Sequence, residues 1–386
     1  MRSTIATIDL DALEWNLSVI RRQAPEKSIL GMVKANAYGH GMIAIARALQ
    51  HCGVDVLGTA FVDEALQLIG AGITIPIMVL TPIEEHDCAA VIENDLVTVA
   101  CDVQQVANLA MTAIASGKIA EVHLYVDTGM LREGFRPHDA VEAATVIGAM
   151  PGIRLTGICT HFATSDEPHS AFFREQLSTF ASVLSNCAAA GSTFASVHAA
   201  NSAAMWQSDS THFTMVRPGL SLYGYVSPGS KEMSLRPVMS LSSRVLSLRR
   251  AWPGESVSYG RRYVVPVEST IVTVPIGYGD GYLRSLTGAA YCLIGGNRYP
   301  IVGTICMDEL MVNVGNADVK QGDEVVLMGQ QTANGGHTAS IDANDIAQWA
   351  STIPYDVTTA VSARVPRCFT GRLAAMAEIQ TQEKKN

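Results

Sequence analysis

Eight short apolar runs, separated by stretches that mostly repeat apolar residues at helical spacing, lie between residues 29 and 216 of this 386-residue chain. The runs fall at 29–33, 54–59, 75–80, 97–101, 121–127, 154–161, 196–200 and 213–216. Helical patterns lie between most of them, at 63–70, 103–116, 138–148 and 170–190. A strand covered on both faces reads as a continuous apolar run, and strand–helix alternation implies parallel pairing. The expected fold class is therefore α/β, with a closed (β/α)8 barrel of the TIM type over about 230 residues. A doubly wound open sheet is the competing architecture, but no G-x-G-x-x-G opens a helix after the first run.

Such a barrel carries its active groups just past the C-terminal ends of different strands. Chemically able residues stand there: Lys34 after the first run, Asp127 and Arg132 after the fifth and His161 after the sixth. Asn201 and Ser202 follow the seventh run and Arg217 the eighth. Lys34 has mostly apolar neighbours, and Gly39 and Gly41 allow backbone to come close. A helix should follow, since Met42, Ile45, Ala46 and Leu49 recur at its spacing. A lysine so placed is costly as a cation and readily becomes the neutral amine, which is how a Schiff-base lysine is prepared. The plainer reading is a lysine snorkelling at a strand end.

The other positions carry two readings each. His161 is either a hydrogen-bonded core histidine or part of a site. Ser202 is an N-cap by default, yet a hydroxyl at a helix start also cradles phosphate. Arg217 at a barrel mouth needs an acceptor, either a carboxylate partner or a ligand atom, and Gly219 offers an unobstructed N–H.

Beyond about residue 235 the texture changes to short alternating or β-branched runs at 244–248, 256–259, 270–275, 291–294, 301–305, 310–314 and 324–328. Turn signals such as Pro253-Gly254 and Gly322-Asp323 divide them. We expect a barrel over 9–233, followed by a mostly β C-terminal domain over 234–386 with one helix at 342–351. Residues 4–10 read as a strand that could pair with that second domain, joining it through 3–8. Asp11-Ala-Leu-Glu14 resembles a capping box for a first helix with Leu10, Leu13, Leu17 and Ile20 on one face. The polar tail 380–386 is expected to fray.

Composition removes other classes. The chain is 48% hydrophobic and 16% charged, so it is globular, and its net charge of −9 invites no nucleic acid. No run approaches the roughly 18 apolar residues of a membrane span, and the N-terminus lacks a signal-peptide core. Eight scattered cysteines without a C-x-x-C pair suit a reducing cytoplasm, and no set shows metal-ligand spacing.

Taken jointly, the motifs resemble those of the alanine racemases. The resemblance rests on residues 33–41 (Val-Lys-Ala-Asn-Ala-Tyr-Gly-His-Gly), Asp127-Thr-Gly-Met130 with Arg132, His161-Phe-Ala-Thr, and His198-x-x-Asn201-Ser202-Ala-Ala. Arg217-Pro-Gly219, Ser258-Tyr-Gly260, Gly277-Tyr-Gly-Asp-Gly281, Cys306-Met-Asp308 and Ile353-Pro-Tyr355 complete it, in order along nearly the whole chain. It implies a homodimer binding pyridoxal 5′-phosphate, with each barrel mouth closed by the β domain of the other subunit. By that resemblance Lys34 carries the cofactor and is one acid/base, and Tyr259 of the other chain is the second. Tyr38, Ser202, Gly219, Leu220 and Tyr355 would hold the phosphate, with Asn201 beside them. Arg217 would face the pyridine nitrogen and His161 would link it to Tyr259. Arg132 would contact the cofactor's phenolic oxygen and, with Met307 of the other chain, the substrate carboxylate, while Tyr278, Arg284 and Asp166 would line the entrance. Lysine and tyrosine ordinarily titrate well above neutrality, so both would need lowering to act as bases.

Four positions depart from the family pattern. A lysine that many members carbamylate to orient the motif arginine is Tyr125 here, so Arg132 must be held by the phenol, a chloride ion or an acid such as Glu133. The usual Gly-Arg-Leu/Ile is Leu131-Arg132-Glu133, and Thr304 replaces a common arginine. These changes leave serine or a broader amino-acid range open beside alanine. A barrel-type amino-acid decarboxylase and a non-catalytic cofactor carrier are the remaining alternatives; the Ser-Tyr-Gly motif argues against the first and the second domain against the other.

Overall fold

The structure, a computed structural model, describes residues 2–167, 169–226 and 234–375. The tail at 380–386 lies outside the described residues. Two compact units emerge. One comprises Leu13–Ala37 and Met42–Arg236; the other comprises the N-terminal residues through Ala12, Tyr38–Gly41 and Pro237–Ala375.

In the first unit eight parallel strands close into a barrel: Ser28–Met32, Val56–Thr59, Ile77–Val79, Val97–Ala100, Ala120–Tyr125, Ile153–Cys159, Ser196–His198 and Met215–Val216. Closure is made by Ser28 opposite Met215 and Ile29 opposite Val216. Both strand faces are covered, which is why Ile29, Leu30, Leu57, Val99, Val122, Leu124 and Ile158 are fully buried and why the runs were continuous in sequence. The surrounding helices present one apolar stripe each. Val103–Ala115 buries Val106, Leu109, Ala110 and Ala113, and Asp102 caps it by accepting from the N–H groups of Gln104 and Gln105. Inside the barrel, Gly157 leaves room for the His123 ring, which a Cβ there would meet at 2.5 Å.

The second unit is a ten-stranded sheet. Ile5–Asp9 pairs antiparallel with Met239–Arg244 and parallel with Arg367–Thr370. The sheet runs on through Glu324–Thr332, Tyr291–Ile294, Asn297–Val302, Leu310–Gly315, Ser269–Val274 and Ser247–Ala251, with Thr338–Ile341 on Glu324–Thr332. Two helices, Ala343–Ala350 and Pro354–Ala360, pack together. Among the described residues no helix is long and apolar enough to cross a membrane.

Local expectations need correction at several points. The first helix starts at Leu10, and its cap is Asp9, whose carboxylate accepts from Asp11 and Ala12, rather than Asp11. The 244–248 run straddles two strands, because Val245 and Leu246 bond to Asp323 and Thr273 as the chain crosses between them. The 256–259 strand stops at Val257, where Ser258 turns to φ 65, ψ −175, and the 301–305 strand stops at Val302 before Gly303 at φ +70. Pro354–Ala360, Thr338–Ile341 and Arg367–Thr370 carried no expectation.

Candidate functional site

Lys34 follows the Ser28–Met32 strand directly after Val33, whose N–H bonds Gly58. The chain then does something alternation does not announce. Ala35, Asn36, Ala37 and Tyr38 all adopt positive φ (51, 55, 54 and 52), a single left-handed turn built without glycine. Left-handed backbone costs roughly 1–2 kcal/mol per such residue, so the surroundings must impose it. Glu64 supplies one restraint, accepting from the Ala35 N–H at 2.7 Å while also accepting from Ala60 at 2.8 Å. Asn36 supplies another, accepting from the Met42 N–H at 2.9 Å. The turn points the chain into the Met42–His51 helix, which buries Met42, Ile45, Ala46 and Leu49 as its spacing required. Burial, and next the Arg132 charge, hold the Lys34 amine below the ordinary lysine value; Glu64 and Glu133 oppose that shift.

Arg217 follows the Met215–Val216 strand and is buried in the barrel. Its Nη2 donates to the carbonyls of Thr160 (2.8 Å) and Ala199 (3.0 Å) and toward His161 Nδ1 at 3.3 Å; its Nη1 donates to His198 Nδ1 at 2.9 Å. The carboxylate partner that the sequence allowed is not the one found. The cation rests on carbonyls and imidazoles, and no hydrogen bond among the described residues uses its Nε. With His198 Nδ1 accepting, Nε2 carries the proton and donates to His123 Nδ1 at 2.8 Å, so the network sets both tautomers. Burial pushes His123 down to about 4; burial, then Arg217 and Arg132, push His161 down to about 3. His198 lies well below the ordinary value from burial and Arg217.

The loop after the Ala120–Tyr125 strand presents Arg132. The Asp127 carboxylate accepts from the N–H groups of Gly129 and Leu131 at 3.0 Å each, and Phe135 bonds back to the Tyr125 carbonyl at 2.8 Å. Arg132 donates from Nε to Glu133 at 3.0 Å and from Nη2 to the Tyr125 hydroxyl at 3.5 Å. After the Ser196–His198 strand, Asn201 rather than Ser202 is the helix cap, accepting from Ala204. Ser202 opens the helix, and its hydroxyl oxygen accepts from Gly219 (2.9 Å) and Ser221 (3.2 Å), leaving the hydroxyl proton to donate. Leu220 is buried beside it in sequence, and Asp166 is exposed on the loop after Ile153–Cys159.

Lys34, Arg132, His161, Ser202 and Arg217 thus all stand past C-terminal ends of barrel strands. An amine, an inward guanidinium with Nε uncommitted and a hydroxyl at a helix start fit a ligand carrying a carbonyl, a ring nitrogen and an anion.

The other candidates belong to the sheet unit. Tyr38 and Tyr355 rings lie 5.5 Å apart, and Arg367 fixes the intervening turn by donating twice to the Gly39 carbonyl. Tyr259 is 72% exposed on the chain by itself. Its backbone is gripped reciprocally: Ser258 Oγ donates to the Thr304 carbonyl at 2.6 Å and Thr304 Oγ1 to the Tyr259 carbonyl at 2.7 Å. Met307 is also exposed, and its carbonyl accepts from Gly279, next to Tyr278. Arg284 is exposed in the short turn Arg284–Leu286. Asp280 is the buried anchor here, bonded to both Nη atoms of Arg2 and to the Gly277 N–H, with Arg364 at 3.3 Å. Sequence reading missed Glu64 and His123, and it quoted Asp280 only within the Gly277–Gly281 motif without its anchoring role; Glu64 left a trace as the acid in the first turn of a helix.

Comparison with known proteins agrees with this geometry. The family models for the alanine racemase N-terminal and C-terminal domains match residues 8–228 and 238–369. Alanine racemase 2 of Caldanaerobacter subterraneus subsp. tengcongensis is 39% identical over 376 residues, 96% of this chain and 95% of its own. The crystal structure of alanine racemase from the D-cycloserine-producing Streptomyces lavendulae superposes with a TM-score of 0.90 at 36% identity, covering 96% of this chain and 98% of that one. That of Bartonella henselae, described with covalently bound pyridoxal phosphate, reaches 0.86 at 26% identity, covering 96% and 100%. Both halves of the chain match in order and at nearly full length, and the chain belongs to the alanine racemase family of isomerases.

Proposed function

We propose that the chain interconverts L- and D-alanine with two opposed proton carriers, Lys34 and Tyr259 of the partner subunit, around pyridoxal phosphate held by Lys34. The observation that carries this is the Lys34 amine, lowered by burial and Arg132, on the same barrel mouth as Arg217. When bound, the cofactor supplies the electron withdrawal that acidifies the substrate Cα–H. Lys34 Nζ takes or returns a proton on one face of that carbon, and the Tyr259 hydroxyl does so on the other. Arg217, whose Nη atoms are committed to protein acceptors, would offer Nε–H to the ring nitrogen. A guanidinium does not release its proton, so Arg217 would leave the ring nitrogen unprotonated and would thereby restrain competing transamination and decarboxylation. Ser202, Gly219 and Leu220, with Tyr38 and Tyr355, would hold the phosphate, and Asn201 shapes that helix start. His161 would connect Arg217 to Tyr259. Arg132, with Met307 of the partner subunit, would orient the substrate carboxylate, and Tyr278, Arg284 and Asp166 would narrow access.

The working unit would be a homodimer with shared mouths. The eight cysteines, none in a disulfide, suit the reducing cytoplasm. Mixing Lys34→Ala chains with Tyr259→Phe chains tests the shared site: subunit exchange should restore about one working site per mixed dimer. No recovery, with mixed dimers demonstrated by mass spectrometry, would refute it.

A further inference from the structure

A guanidinium that meets a substrate carboxylate has to be fixed before the substrate arrives. Arg132 has five donors, and two are committed: Nε to Glu133 at 3.0 Å and one Nη2 hydrogen toward the Tyr125 hydroxyl at 3.5 Å. Nη1 and the second Nη2 hydrogen are left for a ligand. The Glu133 side chain keeps only 10% of its surface exposed, against 51% for Arg132. An acid withdrawn from water to that extent is costly unless it is paired, so Glu133 is not an ordinary solvated surface residue.

The loop is built to make the pair. Gly134 sits at φ +99, and a Cβ there would strike the Tyr125 ring and come within 2.8 Å of the Tyr125 carbonyl. Phe135 bonds that same carbonyl, and Asp127 bonds Phe135, so the loop folds back on the strand end. Tyr125 is buried, and burial pushes its phenol up, so it offers a neutral hydroxyl rather than a counter-charge. Lys34, Arg132 and Arg217 bring three basic groups to one barrel mouth, and the acid bonded to Arg132 is Glu133.

We propose that Glu133 is the resident counter-anion of Arg132, a positioning residue that turns the guanidinium's Nη1 edge toward the substrate carboxylate, so the site needs no bicarbonate-derived group or bound halide. This rests on the proposed reading of Arg132 as the carboxylate ligand. Loss of Glu133 should act on carboxylate binding more than on turnover. It should also move the Lys34-linked limb of the pH profile downward, because Glu133 supports the charged amine.

The test uses cofactor-loaded wild type and Glu133→Gln, compared by calorimetric binding of propionate, a substrate-like acid without the amine. Glu133→Gln should weaken propionate about tenfold and raise KM alike, with a much smaller change in kcat. Wild type should be indifferent to removal of bicarbonate and chloride. Propionate affinity and KM within about twofold of wild type, or a wild type that loses affinity without bicarbonate or chloride, would overturn the assignment. Glu133→Asp is the second variant: by keeping a carboxylate beside Arg132 it should recover propionate affinity at least severalfold over Glu133→Gln, and no recovery counts against the proposal. A loaded wild type that neither binds propionate nor racemises alanine would overturn the carboxylate role of Arg132 itself. A normal wild type with an indistinguishable variant would overturn only the role of Glu133.

Discussion

Three neutral histidines, His123 and His198 inside the barrel and His161 at its mouth, make it acid-labile well above the carboxylate range. His123 is held near 4 and His161 near 3, and His198 is displaced in the same direction. In the unfolded chain each returns to about 6.5. The unfolded state therefore binds protons first as the pH falls, so stability is complete above about pH 6.5 and is lost on the way down toward 4 and then 3. Each unit of pH in that window costs about 1.4 kcal/mol per ring. Between pH 6.5 and 5.0 one ring contributes a loss of roughly 2 kcal/mol, so His123 and His161 together lose roughly 4, a large part of the stability of an ordinary domain, and His198 acts in the same direction. Carboxylates titrate lower and add little there. Urea unfolding at pH 7.5 and 5.0, followed by far-UV circular dichroism and the emission of buried Trp206, measures the difference. We expect a loss of about 4 kcal/mol. A loss below about 2 kcal/mol would mean that the rings accept protons in the folded barrel, and the tautomer chain from Arg217 through His198 to His123 would be wrong.

Other perturbations follow from single contacts. Glu64→Gln removes the carboxylate that serves both Ala35 and Ala60; it should cost about 1–2 kcal/mol in urea unfolding, and hydrogen exchange at Ala35 should accelerate. Unchanged exchange there would exclude Glu64 as the restraint on the left-handed turn. Asp280→Ala should cost about 3 kcal/mol in thermal unfolding, because Arg2 and the Gly277 N–H lose a buried acceptor; a change under about 1 kcal/mol would refute its anchoring role. Lys34→Ala should abolish the borohydride-fixable yellow chromophore; a chromophore fixed elsewhere would displace Lys34 from its proposed role.

The barrel was legible because a parallel strand buried on both faces has a sequence signature. Ile77–Val79 and Val97–Ala100 are little else than that signature. The sheet unit was harder, since its strands alternate, bend and change partners: Val245 is as buried as a strand residue yet sits in a crossing. The left-handed turn after Lys34 was invisible, because Ala35 and Ala37 have no preference for it, a lone Asn36 does not signal a four-residue turn, and the restraints come from Glu64 and Asn36 side chains. Arg217 was found by its place in the chain, but its acceptors were not, since backbone carbonyls leave no mark in a sequence. Glu133 was legible through a mismatch, an acid appearing beside Arg132 where Tyr125 had removed another source of negative charge. The exposure of Tyr259, by contrast, is a property of one chain alone and takes its meaning from the proposed partner.

Proton exchange at Cα in deuterium oxide, read by proton NMR with L-alanine and D-alanine supplied separately to cofactor-loaded Tyr259→Phe, separates the two faces. With the phenol gone and Lys34 intact, only one enantiomer should exchange at a rate near wild type, the other being slowed by roughly 10²–10⁴. Equal, wild-type exchange from both enantiomers would contradict the assignment of one proton carrier to each face.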